Sequence, residues 1–403
     1  MRSLGDFLGD FLKDFARHYG LMTIAAIAIA YGSLYPFVFR DPGSFGADLL
    51  HLAGTWNQPP QSRGDTLANL LLYMPLGLTI ALAFGREGRP AWLLSIAGGA
   101  VLSLSVELAQ FYDVSRVSVL SDAYLNILGT LGGCGIAWAG GASLLSAWWQ
   151  RGSAPAFARL LLLAWLGWRL YPYVPTIDLH KYWRSVKPLL FEPHAAPQDI
   201  FRYTILWLSA IFLVRTGLRP QRLAWFLPMA MLGFFAAKIL IIGQVISLPD
   251  ILGAGIAFIL TALVFRKFSS FGTFSVAALL LVEVVLIRVL PWQFSTTLKA
   301  FQWVPFFSFL HGSLQVDVIS FAQKFYLYGA VILLLTQSGM RLWMAVTLEC
   351  AILLITSVLQ TFMVARSAEV TDALLALALG VIYMLLRRQY PEAPQNTALD
   401  AVR

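Results

Sequence analysis

The chain has 403 residues, 58% hydrophobic and only 12% charged, with a net charge of +8. A soluble domain carries about 25% charged residues to wet its surface, so a water-facing globule is excluded. The mean hydropathy of +0.71 and the apolar runs of about 17–25 residues, each able to cross a ~30 Å hydrocarbon core, point to an all-α, polytopic transmembrane helical bundle.

In chain order, residues 1–20 form a polar, amphipathic segment containing Arg2, Lys13 and Arg17. It is read as cytoplasmic, with no cleavable signal pattern. About twelve candidate spans follow, at 21–39, 65–85, 91–111, 120–140, 158–175, 199–215, 224–246, 249–265, 274–291, 317–336, 341–361 and 368–386. Arg202, Lys238 and Lys324 fall inside three of them. A tail at 388–403 closes the chain.

The Lys and Arg sit mainly in the gaps between apolar blocks, as topology determinants do. Alternate gaps are the richer ones and hold Arg86, Arg89, Arg215, Arg219, Arg222, Arg266, Lys267, Arg387 and Arg388. The other gaps hold Arg40, Arg63, Arg116, Lys181, Arg184, Lys187, Arg288, Lys299 and Arg366, against a cytoplasmic set that also includes Arg151, Arg159, Arg341 and Arg403. The bias places both termini in the cytoplasm. The cations form no stripe, so nucleic acid is not an expected partner. Cys134 and Cys350 lie in apolar blocks and suggest neither a disulfide framework nor a metal cluster. His51, His180, His194 and His311 fall in long loops without ligand spacing, and no cofactor fingerprint is present.

Long loops follow the first, fifth and ninth spans, and the chain divides into three units of four spans at 21–147, 158–267 and 274–387. Each first span ends alike: Leu34-Tyr35-Pro36-Phe37, Leu170-Tyr171-Pro172-Tyr173 and Leu290-Pro291-Trp292. Each second span opens near an Asp (Asp65, Asp199, Asp317), each third span reaches a Gln near its outer end (Gln110, Gln244, Gln360), and each fourth opens with an Asp (Asp122, Asp250, Asp372). Gln110 and Gln360 are each followed by an Arg, at Arg116 and Arg366, and then by Ser121-Asp122 and Thr371-Asp372. Four spans per unit is an even number, so the repeats would run parallel.

Ionisable groups inside a bilayer are costly, at about 2.5–3.5 kcal/mol for a central Asp, Lys or Arg. The first unit is the richest in polar groups. Asp65, Asn69, Tyr73 and Gly77 recur every fourth residue and share a helix face. Ser103, Glu107 and Gln110 share another, as do Asp122, Asn126 and Gly129. Asn, Gln and Ser commonly glue membrane helices together, and Ser121 or Asp122 suits a helix cap. The combined set, with Arg116 in reach of Glu107 or Asp122, exceeds what capping needs and marks a candidate polar pocket. Gln360, Arg366, Thr371 and Asp372 form its secondary copy. Glu283, Glu349 and Lys238 stand alone in sequence and suit interhelical pairing.

The ordered pattern Tyr35-Pro36-Phe37, Asp65-x3-Asn69-x3-Tyr73-Met74-Pro75-Leu76-Gly77, Ser103-x3-Glu107-x2-Gln110, Arg116 and Ser121-Asp122-x3-Asn126-x2-Gly129 resembles the VanZ-like family of small bacterial membrane proteins. The resemblance spans residues 30–140. It returns in degenerate form in the third unit, where Ser357 and Ala376 replace the family's Glu and Asn. Val304-Pro305-Phe306 resembles the family's proline–phenylalanine start. The resemblance implies the cell envelope and a lipid-linked glycan or amphiphilic glycopeptide context, and it supplies no reaction. Three functions remain open at this level. One is binding or translocation of an amphiphile. The second is a membrane-embedded enzyme with Glu107 or Asp122 as general base. The third is a structural partner for an envelope polysaccharide system.

Overall fold

The structure is a computed structural model. It describes residues 4–34, 37–39, 50, 53–56, 58, 63–84, 90–113, 118–138, 152–191, 193, 195–218, 223–308, 314–364 and 366–389. Among these residues there are thirteen α-helices, one short 3-10 turn at Gln360–Phe362, isolated β-bridges and no strand. The helices are α1 (Leu4–Leu34), α2 (Arg63–Phe84), α3 (Ala91–Phe111), α4 (Leu120–Ile136), α5 (Ser153–Leu170), α6 (Leu179–Phe191), α7 (Pro197–Leu218), α8 (Leu223–Leu240), α9 (Leu248–Leu263), α10 (Ser270–Val289), α11 (Leu314–Gln337), α12 (Leu342–Leu359) and α13 (Thr371–Gln389). Six of them, α3, α7, α8, α10, α11 and α12, are long and apolar enough to cross a membrane by length and composition. The apolar stretches Tyr19–Leu34, Asn69–Phe84 and Leu248–Leu263 are shorter.

Several boundaries differ from the sequence expectation, each for a local reason. Residues 4–20 do not form a separate segment; no proline interrupts them, and α1 runs unbroken from Leu4. Helix α5 stops at Leu170 rather than near residue 175, because Pro172 pushes Tyr171 out of the helical region. Helix α8 stops at Leu240, so Gln244 lies in the connection beyond it. Helix α6 is an addition, found where the sequence suggested only loop.

The chain forms two compact units whose main bodies are Met1–Arg151 and Gly152–Arg387. In the first, α2 and α4 approach until their backbones nearly touch. A Cβ added at Gly77 would lie 1.7 Å from the Thr130 carbonyl oxygen, and one at Gly133 would lie 2.0 Å from that of Met74. Gly129 faces the Leu70 carbonyl in the same way. Small residues allow this approach, which drives helix association where lipid offers no hydrophobic contrast. Gly77 and Gly129 therefore serve packing. Ile29, Tyr73, Leu76 and Ile80 make the adjoining core.

The second unit is built around α7 and α11. Ile205–Leu213 and Tyr326–Leu335 are buried on every side, as expected of helices apolar all round. Ser209 and Tyr326 join them through their hydroxyls at 2.6 Å. Helix α9 presses Gly253 onto Tyr203 of α7. Helix α6 buries Lys181 and Ser185 and exposes Leu179, Trp183 and Leu190. Lys181 Nζ donates to the carbonyls of Lys238 and Ile239 at 2.9 and 2.5 Å, so α6 caps the end of α8.

Candidate functional site

In the first unit, Glu107 is buried near the end of α3. Its Oε2 accepts from the Ser118 hydroxyl at 2.9 Å and from the Val119 backbone N–H at 3.1 Å. Val119 is the N-cap position of α4, and it carries no side-chain cap. The Ser121 hydroxyl makes no cap, and a carboxylate from the neighbouring helix holds that end. Leu120 N–H is taken by Thr55 Oγ1 at 2.9 Å. Asn126 Nδ2 donates to Ser103 Oγ at 2.8 Å, while Asn126 Oδ1 and Ser121 Oγ are buried without a hydrogen-bond partner. The Tyr73 hydroxyl is buried nearby with no hydrogen-bond partner. Gln110 reaches α1 and donates to the Ser33 carbonyl at 2.7 Å. The structure therefore gathers Tyr73, Ser103, Glu107 and Asn126. Asn69 and Asp122 are half-buried. Arg116 lies outside the described residues, as does the side chain of Asp65.

The second unit contains two further acid-centred clusters. Asp250, in the first turn of α9, is fully buried. Its Oδ2 receives Arg169 Nη2 at 2.6 Å and Lys238 Nζ at 2.8 Å, and its Oδ1 receives Trp207 Nε1 at 2.9 Å. Lys238 is therefore paired, and not the lone charge it looks in sequence. The Arg169 guanidinium lies between 5.1 and 5.8 Å from the ring centres of Trp165, Trp168, Tyr203 and Phe234. Such a cage favours arginine, whose flat, weakly hydrated cation stacks on rings.

Asp372, in the first turn of α13, is built the same way with hydroxyls in place of rings. Arg288, in the last turn of α10, ion-pairs with Asp372 Oδ2. It also donates to Thr356 Oγ1 at 2.6 Å, Ser357 Oγ at 2.6 Å, the Leu353 carbonyl at 3.2 Å and Tyr328 OH at 3.3 Å. Lys324 Nζ lies 2.8 Å from Asp372 Oδ1 and its side chain is 34% exposed. Arg366 Nη2 donates to the carbonyls of Ile287, at 2.8 Å, and Leu290. Glu369 accepts from Thr371 Oγ1 at 2.7 Å and Ser367 Oγ at 3.0 Å. Burial by itself would push the Glu369 carboxyl up. The hydroxyls of Ser308, Thr371 and Ser367 and the charge of Lys324 outweigh it and hold the group below the usual glutamate value. Glu349, on the stripe of α12 that carries Leu353, Thr356 and Ser357, is fully buried with no hydrogen bond to either oxygen. These groups surround a cavity of about 200 Å³ lined by Arg288, Gln323, Lys324, Arg366, Glu369 and Asp372 among others.

Sequence reasoning missed Arg169 entirely and took Arg288 for a loop charge. The signal was present: Arg169-Leu170-Tyr171-Pro172 and Arg288-Val289-Leu290-Pro291 share an Arg-x-x-Pro ending, where the first unit has Ser33. Two other features recur at matching positions, and a third at related prolines. Gln244 donates to the Tyr171 carbonyl and Gln360 to that of Arg288 at 3.0 Å, as Gln110 does to Ser33. Isolated bridges join Phe39 to Asp113, Pro175 to Ile241 and Phe294 to Met363. The aromatic residues after Pro36, Pro172 and Pro305 all adopt left-handed φ, at 62°, 60° and 57° for Phe37, Tyr173 and Phe306.

Residues 21–144 match the model of the family described as VanZ/LLP1. That segment is VanZ-like. It covers less than half of the chain and all the first-unit contacts made by Gln110, Glu107 and Asn126. No curated protein and no solved structure matches the chain. With this VanZ-like segment and six apolar helices long enough to cross a membrane among the described residues, the chain is a membrane protein.

Proposed function

We propose that this is a twelve-span protein of the bacterial inner membrane and cell envelope, made of three parallel four-helix repeats. It binds the polar headgroup of an amphiphile, whether a lipid, a lipid-linked glycan or an amphiphilic glycopeptide. The observation that carries the reading is the charged cavity beside Asp372. A roughly 200 Å³ space lined by five charged side chains is costly to keep open within a membrane bundle by packing alone. The repeated glutamine latch and the bridges support the triplication. The Lys and Arg distribution supports cytoplasmic termini, and the burial of Arg288 in a helix end removes one cation from the poorer side of the count.

The first unit is a second candidate position, because Asn126 Oδ1 and Ser121 Oγ are buried with unused hydrogen-bonding capacity. An enzymatic role for Glu107 has less support, since its Oε2 already accepts two donors that fix the entry to α4. The test is mass spectrometry of lipids retained by the purified protein in a neutral detergent. Enrichment of one headgroup class over the bulk membrane is expected. A retained set with the bulk composition would defeat the reading.

A further inference from the structure

The charges around the third cluster are unequally committed. Arg288 uses all its donor nitrogens on five partners. Asp372 is held between Arg288 and Lys324. Glu369 is occupied by hydroxyl donors. What remains is donor capacity. Lys324 has one carboxylate within ion-pair distance, shared with Arg288, and a partly exposed side chain. Arg366 has no carboxylate partner among the described residues, and its Nε is buried with no acceptor. Gln323 and Ser320 lie beside Lys324 on the same face of α11 and also line the cavity. Three cations against two carboxylates leave the lining one positive charge in excess.

We infer that the cavity bounded by Lys324, Arg366 and Gln323 is an anion site for a terminal phosphate group. A buried excess of N–H donors with no acceptor is costly until an acceptor arrives. A phosphate offers three charged oxygens to donors converging from different helices, where a carboxylate offers two in one plane. Entry of the anion draws Lys324 away from Asp372, and Arg288 stays behind to neutralise that carboxylate. The space lies below the ~300–1,000 Å³ that encloses a whole drug-sized ligand, so it takes the head of a molecule and leaves the remainder outside. The inference deepens the headgroup reading and rests on it only for the apolar chain attached to the phosphate.

The test uses the full chain in maltoside micelles and three probes: phenyl phosphate, dodecyl phosphate and dodecyltrimethylammonium. Thermal unfolding is followed at rising probe concentration. Dodecyl phosphate is expected to raise the unfolding temperature saturably, and dodecyltrimethylammonium to leave it unchanged. Lys324→Gln should weaken dodecyl phosphate binding about tenfold or more, the loss of one charge-assisted contact, and Lys324→Arg should restore most of it. Gln323→Glu, which places an anion at the same wall, should abolish binding and serves as the second variant. If phenyl phosphate binds as tightly as dodecyl phosphate, the anion site stands and the amphiphile reading falls. If dodecyl phosphate binds Lys324→Gln and Gln323→Glu as it binds the parent, the anion site falls and the amphiphile reading survives. No binding by either phosphate overturns the anion site.

Discussion

Asp250 and Asp372 each open a helix, each receive an arginine from the last turn of an earlier helix, and each bind a lysine. Their surroundings part them. Arg169 sits among four aromatic rings, and Trp207 takes the last oxygen of Asp250. Arg288 is held by hydroxyls and a carbonyl, and its lysine sits on the wall of a cavity. One acid–base centre can therefore act as a sealed fastening or as a polar site. The neighbours decide which: rings exclude water and fill space, whereas Tyr328, Gln323 and Ser367 bring hydrogen-bonding groups to an unfilled one. An acid whose two oxygens already hold three donors has no acceptor left for a ligand.

The strongest way to break this comparison is to neutralise each acid. Asp250→Asn leaves Arg169 and Lys238 buried without an anion, which costs about 3–5 kcal/mol. Asp372→Asn is expected to cost clearly less, because Arg288 keeps four other acceptors and Lys324 can turn to the cavity. Denaturant unfolding in detergent measures both, and equal losses would mean that the two centres are equally sealed. Removing the lysines should separate them further. Lys238→Met strips a buried charge-assisted bond worth about 1.5–3 kcal/mol, while Lys324→Met, at a partly exposed pair, should change stability by about 0–1 kcal/mol. A large loss from Lys324→Met would reclassify it as a fastening.

The sequence made the membrane class legible through apolar run lengths, and the helices stand where those runs do. It also located Gln110, Gln360, Asp122, Asp250 and Asp372 by their spacing. It did not reveal what those residues touch. Spacing reports a helix face, but Gln110 acts on a carbonyl 77 positions away, and the Glu107 carboxylate caps a helix it does not belong to. Gly77 and Gly129 lay on the polar stripes, yet their role is backbone contact, which depends on a partner helix and not on their own period. Arg169 and Arg288 were overlooked because a cation near a span end ordinarily marks topology. Only the fold shows these two turned inward onto an acid.

A smaller effect concerns Glu349, whose carboxyl has no hydrogen bond next to the third centre. At the second centre each oxygen of Asp250 is satisfied, and the buried atoms without a partner are donors, Arg169 Nη1 and Trp165 Nε1. An unpartnered buried polar group costs about 1–3 kcal/mol, so Glu349→Leu is expected to stabilise the protein by about 1–2 kcal/mol in the same unfolding assay. A loss of stability instead would reveal a partner for that carboxyl.

The smallest effect is acid sensitivity, and it should appear at the third centre through Glu369. Its carboxyl titrates below the ordinary glutamate value because hydroxyl donors and Lys324 favour the charged form. A carboxyl whose folded value is depressed binds fewer protons folded than unfolded near that value. Its stabilisation is therefore complete above the unfolded value of about 4.3 and fades as the pH falls through the lower, folded value. Glu369→Gln should be less stable than the parent at neutral pH, with the difference closing below about pH 4. Unfolding of parent and variant across pH 3 to 7 measures the gap, and subtraction cancels the other carboxylates common to both proteins. A gap that stays constant over the range would show that Glu369 holds its loop as a neutral group, in which case Lys324 loses the second anion that keeps it at the cavity wall.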